Sequence, residues 1–307
     1  MMKKKILAIQ GSSLKKINIK TDTTLFLALE AQRRNYNIYY FKPQDLSFKD
    51  DEVTAKCLHV KFFKNKNKYY KVLKKIIFNL SKASILLIRN EPPFNQQYIN
   101  STFILEYISK KVKIINDPKS LREVPEKLFS INLTKYMPST LISEDLEEIK
   151  NFITKNRKVI IKPIDSYSGN DVILMNGFKL KIIKRYIKKY NHIICQKFLP
   201  KITTGDKRVF IINGKVKGAI SRIPKKGSIL SNMSKGASAK NINLSAQEMK
   251  ISKIVSKMLV KKNIYFAGID FVQGKLIGDI NVTSPTGLAT YYDLTGVNLA
   301  KYFWDNI

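Results

Sequence analysis

At 307 residues the chain is long enough to bury a large core and to divide into two domains or more. Lysine and arginine outnumber aspartate and glutamate 56 to 23, a net charge of +33, but the excess is scattered lysine beside abundant isoleucine and asparagine, which argues against a dedicated nucleic-acid surface. Two cysteines, Cys57 and Cys195, provide no disulfide framework, and the apolar run after Lys3, Lys4 and Lys5 ends at Ile9, too short for a membrane span or a signal sequence; the expected compartment is the cytoplasm, with no membrane partner. With His59 and His192 the cysteines could make a zinc set, but His192 and Cys195 stand three apart in an apparent strand and would face opposite sides.

Residues 5–10 read as a strand leading into a Gly11-Ser12-Ser13 loop, and Asp22 can cap a helix through Arg34 whose inner face is Leu25, Ala28 and Leu29. Residues 37–41 return as a strand. Residues 83–88 are almost wholly apolar, as in a strand buried on both faces, and 96–110 are helical with Ile99, Phe103 and Tyr107 recurring. Residues 113–115 follow as a short strand. This alternation predicts a parallel sheet covered by helices.

From Lys158 onward the strands come in hairpin-like pairs, with Gly214 and Gly274 at turns and helices over 179–190 and 245–261 between them, an α+β pattern. The first of these helices has Leu180, Ile183 and Ile187 on one side and Lys181, Lys184, Arg185 and Lys188 elsewhere, which reads as a solvated polar face. Residues 225–243, rich in Gly, Ser, Lys and Asn, read as a long mobile loop of the kind that forms active-site lids.

Two segments carry candidate chemistry. The strand 159–163 ends in Lys162-Pro163 and enters a turn-rich loop containing Ser166, Tyr167, Ser168 and Gly169. Small residues let backbone amides approach phosphate oxygens and lysine supplies a compact charge, although the segment alone also reads as an ordinary hairpin connection. Near the C-terminus, residues 265–272 and 275–282 form a hairpin around Gln273-Gly274. A two-residue turn pairs Val272 with Lys275 and sets Asp270, Asp279 and Asn281 on one face, a donor set that suits a divalent cation bridging phosphates. Solvated hairpin residues are the alternative on spacing alone.

In order along the chain, residues 17–20, residues 29–34, Arg89-Asn90-Glu91-Pro92-Pro93-Phe94, Ser120-Leu121-Arg122 with Glu126-Lys127-Leu128-Phe129, Lys162-Pro163, Gly205-Asp206-Lys207-Arg208-Val209, Arg222-Ile223-Pro224 and residues 280–286 resemble prokaryotic glutathione synthetase, an ATP-grasp ligase. The resemblance implies an α/β N-terminal domain with a parallel sheet over 1–122 and an α+β ATP-grasp domain over 123–307, with a lid-like central subdomain at about 130–200. It implies ATP-dependent joining of γ-glutamylcysteine and glycine through an acyl-phosphate, with ATP and Mg2+ as cofactors, Mn2+ as an alternative, and a homo-oligomeric assembly as is common in the family.

By the same resemblance Lys127 and Lys162 hold ATP phosphates, Gln196, Lys197, Phe198 and Leu199 meet the adenine through their backbone, and Asp206 lies at the nucleotide. Asp270, Asp279 and Asn281 carry the metal, and Arg208 and Arg222 stabilise the acyl-phosphate and the transition state. Asn18, Lys20 and Arg89 help form the peptide end of the cleft, and Ser284 lies near the acceptor. For Arg89 and Arg122 a plain ion pair is the alternative role.

The chain departs from the family pattern in four places. Ser166-Tyr167-Ser168-Gly169 replaces a loop with several glycines, Asp279 replaces a glutamate in a hairpin that reads one residue longer, where either metal affinity is weaker or a bulge rescues the register, the 228–232 stretch lacks an arginine, and Gly287-Leu288-Ala289-Thr290-Tyr291 lacks another. A ligase of altered substrate or reduced activity is therefore a second expectation. A basic, non-enzymatic polyanion-binding protein, motivated by charge alone, is the alternative of another class.

Overall fold

The computed structural model describes residues 5–65 and 68–307, so Lys3 and Lys4 of the basic run lie outside the described residues. Seven strands form the first sheet: β1 (Lys5–Gly11), β2 (Tyr36–Phe41), β3 (Leu46–Lys49), β4 (Glu52–Phe62), β5 (Tyr70–Asn79), β6 (Ile85–Arg89) and β7 (Lys113–Ile115). Their order is β3-β4-β2-β1-β6-β7, with β5 also paired to β4. The apolar strands β2, β1, β6 and β7 are parallel, as their alternation with helices predicts. On one side β3, β4 and β5 extend this parallel sheet antiparallel, strands that the alternation did not bring out. Exposed lysines, Lys56 and Lys61 on β4 and Lys71, Lys74 and Lys75 on β5, dilute the apolar pattern of those strands.

Helix α1 (Thr23–Arg33) is capped by the Asp22 carboxylate, which accepts from the Leu25 amide at 2.7 Å. It buries Leu25, Leu27, Ala28 and Ala31, with Leu29 only half-buried. Helix α2 (Gln96–Glu106) turns Tyr98 and Leu105 inward, so Phe103 and Tyr107 are not its core face. Phe103 instead lies beneath the Arg122 guanidinium at 3.8 Å, and Tyr107 packs edge-on against Phe48. Arg122, on α3 (Pro118–Glu123), also pairs with Glu106, so it is a local ion-pair residue of the first half.

The second sheet is antiparallel. It comprises β8 (Thr140–Ser143), β9 (Lys158–Pro163), β10 (Ile173–Asn176) and β11 (Ile193–Lys197), ordered β10-β9-β11-β8 and packed on α4 (Leu146–Asn156) and α5 (Leu180–Tyr190). Its own core joins Ile149, Ile153, Val159, Ile161, Ile183 and Ile193. On α5 the buried face is Ile183 and Tyr186, while Leu180 is exposed.

The third sheet holds β12 (Asp206–Ile212), β13 (Lys215–Ile223), β14 (Ser238–Asn241), β15 (Phe266–Val272) and β16 (Lys275–Asn281), ordered β14-β13-β12-β15-β16. The end of the 225–243 segment is thus an edge strand and not loop. Helix α6 (Ala246–Lys261) packs on this sheet and begins with a Ser245/Glu248 capping box. Helices α7 (Leu288–Thr295) and α8 (Leu299–Asp305) return to α1, where Trp304 Nε1 donates to the Leu27 carbonyl at 3.0 Å and Arg34 pairs with Asp305 at 2.7 Å.

Asn116, just after β7, joins the first sheet to the third. Its Oδ1 accepts from the Tyr265 and Phe266 amides at 3.0 and 2.9 Å, and its Nδ2 donates to the Phe266 and Val282 carbonyls at 2.7 Å each. Such bonds contribute about 1 kcal/mol apiece, and losing the side chain would orphan buried backbone groups at greater cost. Cys57 lies in β4 and Cys195 in β11, both buried, with thiols that burial pushes up to about 12, so they do not share a zinc set. Among the described residues no helix is long and apolar enough to cross a membrane.

Candidate functional site

The C-terminal hairpin starts in the expected register, with Val272 facing Lys275 and Phe271 facing Leu276. Farther out the register slips. Ile269 faces Ile280 and Gly268 faces Asn281, so Ile277, Gly278 and Asp279 bulge opposite Asp270 alone. Gly278 permits this at φ +87°, and a Cβ there would meet Met137 Cε at 2.9 Å. Despite the slip, Asp270, Asp279 and Asn281 line the same cavity of about 530 Å³, which lies between the second and third sheets. Its volume falls in the range of small-molecule sites.

Four buried charges alternate in its wall. Asp206 opens β12 and accepts from Arg222 Nε at 2.8 Å and from Arg222 Nη2. Arg222 Nη2 also stands 3.0 Å from Asp270, which takes Arg208 Nε and Nη2 at 2.6 and 2.7 Å. Antiparallel pairing produces this ladder, because Asp206 faces Arg222 across β12–β13 and Arg208 faces Asp270 across β12–β15. Burial alone would raise the Asp270 carboxyl, but Arg208 and Arg222 hold it down at about 2. Asn281 Nδ2 donates to the Gly268 carbonyl at 3.1 Å and to Asp270 Oδ2 at 3.4 Å.

Across the cavity the lysines converge on the bulge. Lys162, buried at the end of β9, donates to the Ile277 carbonyl at 2.8 Å and lies 3.7 Å from the half-exposed Asp279 carboxylate. Lys127 donates to the carbonyls of Ile164 and Ser166 in the loop after β9. Burial, countered in part by Asp279, pushes the Lys127 ammonium below its ordinary 10.5.

Glu126, a residue the sequence argument left without a role, holds Lys127 in place. Its carboxylate accepts from the Val282 amide at 2.8 Å, the Thr283 amide at 3.0 Å and the Thr283 hydroxyl at 2.8 Å. Only its position beside Lys127 could have flagged it.

Ser166, Tyr167, Ser168 and Gly169 line the cavity next to these lysines, and Gln196, Lys197, Phe198 and Leu199 line it too. The Lys197 and Phe198 amides already donate to Ser139 and Lys158 carbonyls at 2.8 and 3.1 Å, and Gln196 Nε2 donates to Thr140 at 2.8 Å. At the end formed by the first half, Asn18 and Ser284 line the cavity. Lys20 and Arg89 do not. Lys20 is exposed, while Arg89 is buried behind the wall and donates to Thr24 Oγ1 at 3.1 Å and the Pro285 carbonyl at 2.9 Å. Burial lowers the Arg89 guanidinium to about 10, and among the described residues it makes no ion pair. Lys16, Asp22, Glu91 and Ser231 line the cavity as well; in sequence Asp22 reads as a helix cap, Glu91 falls in a matched stretch and Ser231 in the 228–232 stretch, without a site role for any of the four.

Residues 6–122 match the family described as prokaryotic glutathione synthetase, N-terminal domain, and residues 126–296 match prokaryotic glutathione synthetase, ATP-grasp domain. The chain is 36% identical to a glutathione synthetase of Bradyrhizobium diazoefficiens, covering 98% of this chain and 96% of the relative. It is 35% identical to one of Buchnera aphidicola subsp. Acyrthosiphon pisum, over 100% and 98%. Among solved structures, a D-cycloserine synthetase superposes with a TM-score of 0.66 at 13% identity over 98% of this chain and 99% of that one. A D-alanyl-alanine synthetase A from Vibrio cholerae gives 0.63 at 13% identity over 99% and 97%; both likenesses speak to the fold alone. The chain belongs to the prokaryotic glutathione synthetase family and is a carboxylate–amine ligase of the ATP-grasp type.

Proposed function

We propose that the cavity between the second and third sheets binds Mg-ATP, with Lys127 and Lys162 on the phosphates and the Gln196–Leu199 stretch along the adenine. The observation that carries this reading is the convergence of both lysines, Asp270, Asp279 and Asn281 on one cavity, from segments up to 154 positions apart, that is, Lys127 to Asn281. With the Lys197 and Phe198 amides committed, the base edge would be read by backbone carbonyls and the Leu199 amide.

The donor set fits a hard divalent cation: two carboxylates and an amide oxygen, with Asn281 committing its nitrogen to protein acceptors. Asp270 would join it as Arg222 or Arg208 turns toward the phosphates, since its oxygens otherwise serve those guanidinium groups. Bound there, Mg2+ would neutralise charge on the transferring phosphoryl group. The shorter Asp279 carboxylate stands on the bulge and lines the cavity.

Formation of glutathione then follows from activating a carboxylate. Lys127 and Lys162 hold ATP while the cysteinyl carboxylate of γ-glutamylcysteine attacks the γ-phosphorus and ADP leaves. Glycine's amine displaces phosphate from the resulting acyl-phosphate, giving the peptide bond. Arg208 and Arg222 are fixed donors for charge that develops on the oxygens. Asn18 and Ser284 border the substrates, whereas Arg89 shapes that end by tying Pro285 to Thr24.

Two buried, unpaired cysteines support a reducing compartment, the cytoplasm. ADP release that requires both γ-glutamylcysteine and glycine supports the reading. ADP release with another amine but not with glycine favours a ligase of altered acceptor, which the arginine-free stretch 287–291 beside the cavity motivates.

A further inference from the structure

The segment between β13 and β14, residues 224–237, reaches over the cavity, which Ile229, Leu230, Ser231, Asn232 and Met233 all line. Among the described residues two polar contacts hold it, one to each side. Ser231, only 6% exposed, donates its hydroxyl to Asp206 Oδ2 at 2.5 Å, and Lys235 donates to Asn170 Oδ1 at 2.9 Å in the loop after β9. The approach to that loop is so close that a Cβ on Gly169 would lie 2.7 Å from Asn232 Oδ1. The segment therefore touches both sheets that enclose the cavity.

What distinguishes the Ser231 contact is its neighbour. Asp206 Oδ2 also accepts from Arg222, and Arg222 Nη2 reaches Asp270 at 3.0 Å. One hydroxyl from the overlying segment thus feeds a buried chain of charges that ends on the carboxylate assigned to the metal. We propose that Ser231 is a positioning residue: when the segment closes, its hydroxyl takes up part of the Asp206 charge and lets Arg222 lean toward Asp270 and the transferring phosphoryl group.

Hydrogen bonds in such a buried network reinforce one another, so loss of one donor is felt at the next. Removing the hydroxyl takes one donor from Asp206, which then draws Arg222 back from Asp270, and leaves the segment, among the described residues, with one exposed tie. An open segment admits water, which adds to the acyl carbon. The carbon–oxygen bond to phosphate breaks, phosphate departs with the bonding electrons, and the carboxylic acid is regenerated without a peptide bond. The chemical half of this inference rests on the ligase reading; the latch itself does not.

The test compares Ser231→Ala and Ser231→Thr with the parent chain by two readouts. The first is trypsin cleavage after Lys225, Lys226 or Lys235, all exposed, measured without nucleotide and relative to cleavage elsewhere in the chain. The second is ADP formed per glutathione. Ser231→Ala should speed the local cleavage about tenfold, as loss of a hydrogen bond to a charged group shifts an opening equilibrium. It should also raise the ADP-to-glutathione ratio above one and lower kcat more than it changes the KM for ATP, while Ser231→Thr restores all three. Unchanged cleavage and ratio in Ser231→Ala, or failure of Ser231→Thr to restore them, overturns the proposal. If the parent chain releases no ADP, the ligase reading falls, and the cleavage rates alone uphold or overturn the latch.

Discussion

Asp270 and Asp279 stand on the two strands of one hairpin and line one cavity, but their surroundings differ. Asp270 is buried and gripped by two guanidinium groups, whereas Asp279 sits on a bulge, half-exposed, with Lys162 at 3.7 Å as its one ion-pair partner among the described residues. A carboxylate in the first setting contributes to the fold and to chemistry together, because removing its charge leaves buried arginines uncompensated. In the second setting the carboxylate is open to a ligand and the fold depends on it little. Two residues proposed to carry the same ion should therefore separate when stability and activity are measured side by side.

The largest effect is expected from Asp270→Asn, which should cut the rate of ADP formation about a thousandfold and lower unfolding free energy by about 3 kcal/mol in urea. Asp279→Asn should reduce turnover about a hundredfold and weaken the Mg2+ dependence, with stability within about 0.5 kcal/mol of the parent. Equal loss of stability in both variants would erase the contrast.

Acid titration sharpens it further. The folded Asp270 carboxyl is depressed to about 2 from its ordinary 3.8, so its stabilisation is complete above the higher value and is lost as pH falls toward the lower one. Denaturation between those values should show a flattened acid limb in Asp270→Asn and an unchanged one in Asp279→Asn.

A smaller effect is expected at the alkaline end. The Lys127 ammonium is lowered below 10.5 mainly by burial, so it loses its proton before an exposed lysine would. Nucleotide affinity should fall as pH rises through that lowered value, and binding there should take up a proton. Calorimetry in two buffers of different ionisation heat reads the uptake directly, and Lys127→Arg should abolish it.

Much of this site could be read in the sequence because its parts announce themselves locally. Gln273-Gly274 marks a turn between apolar strands, and Lys162-Pro163 ends another, so the hairpin and the phosphate-side strand follow from propensity and pattern. The bulge was legible only as the longer hairpin, and its place did not follow, since register is settled by packing of Gly278 against Ser130 and Met137, residues more than a hundred positions away.

The arginine grip on Asp270 was hidden for a related reason. It joins strands 62 positions apart, and no local rule pairs them. Phe103 and Tyr107 misled in the opposite way, because aromatic rings at helical spacing ended on the surface beneath Arg122 and beside Phe48. The antiparallel extension β3–β5 escaped notice because lysines on its solvent side blur the strand period. Arg89, matched by its motif, proved to be a buried tie between α1 and the stretch after Ser284, a placement that depends on tertiary packing alone.

The account depends most on the two lysines and the bulged hairpin meeting at one triphosphate. Calorimetric titration with Mg-ATP of the parent chain, Lys162→Met, Asp279→Asn and the double variant tests that directly. Each single substitution should weaken binding about tenfold or more, and the double variant should lose clearly less than the product of the two, since residues sharing one ligand are coupled. Mg-ATP affinity within twofold of the parent in Lys162→Met, or strictly multiplicative losses in the double variant, would contradict it.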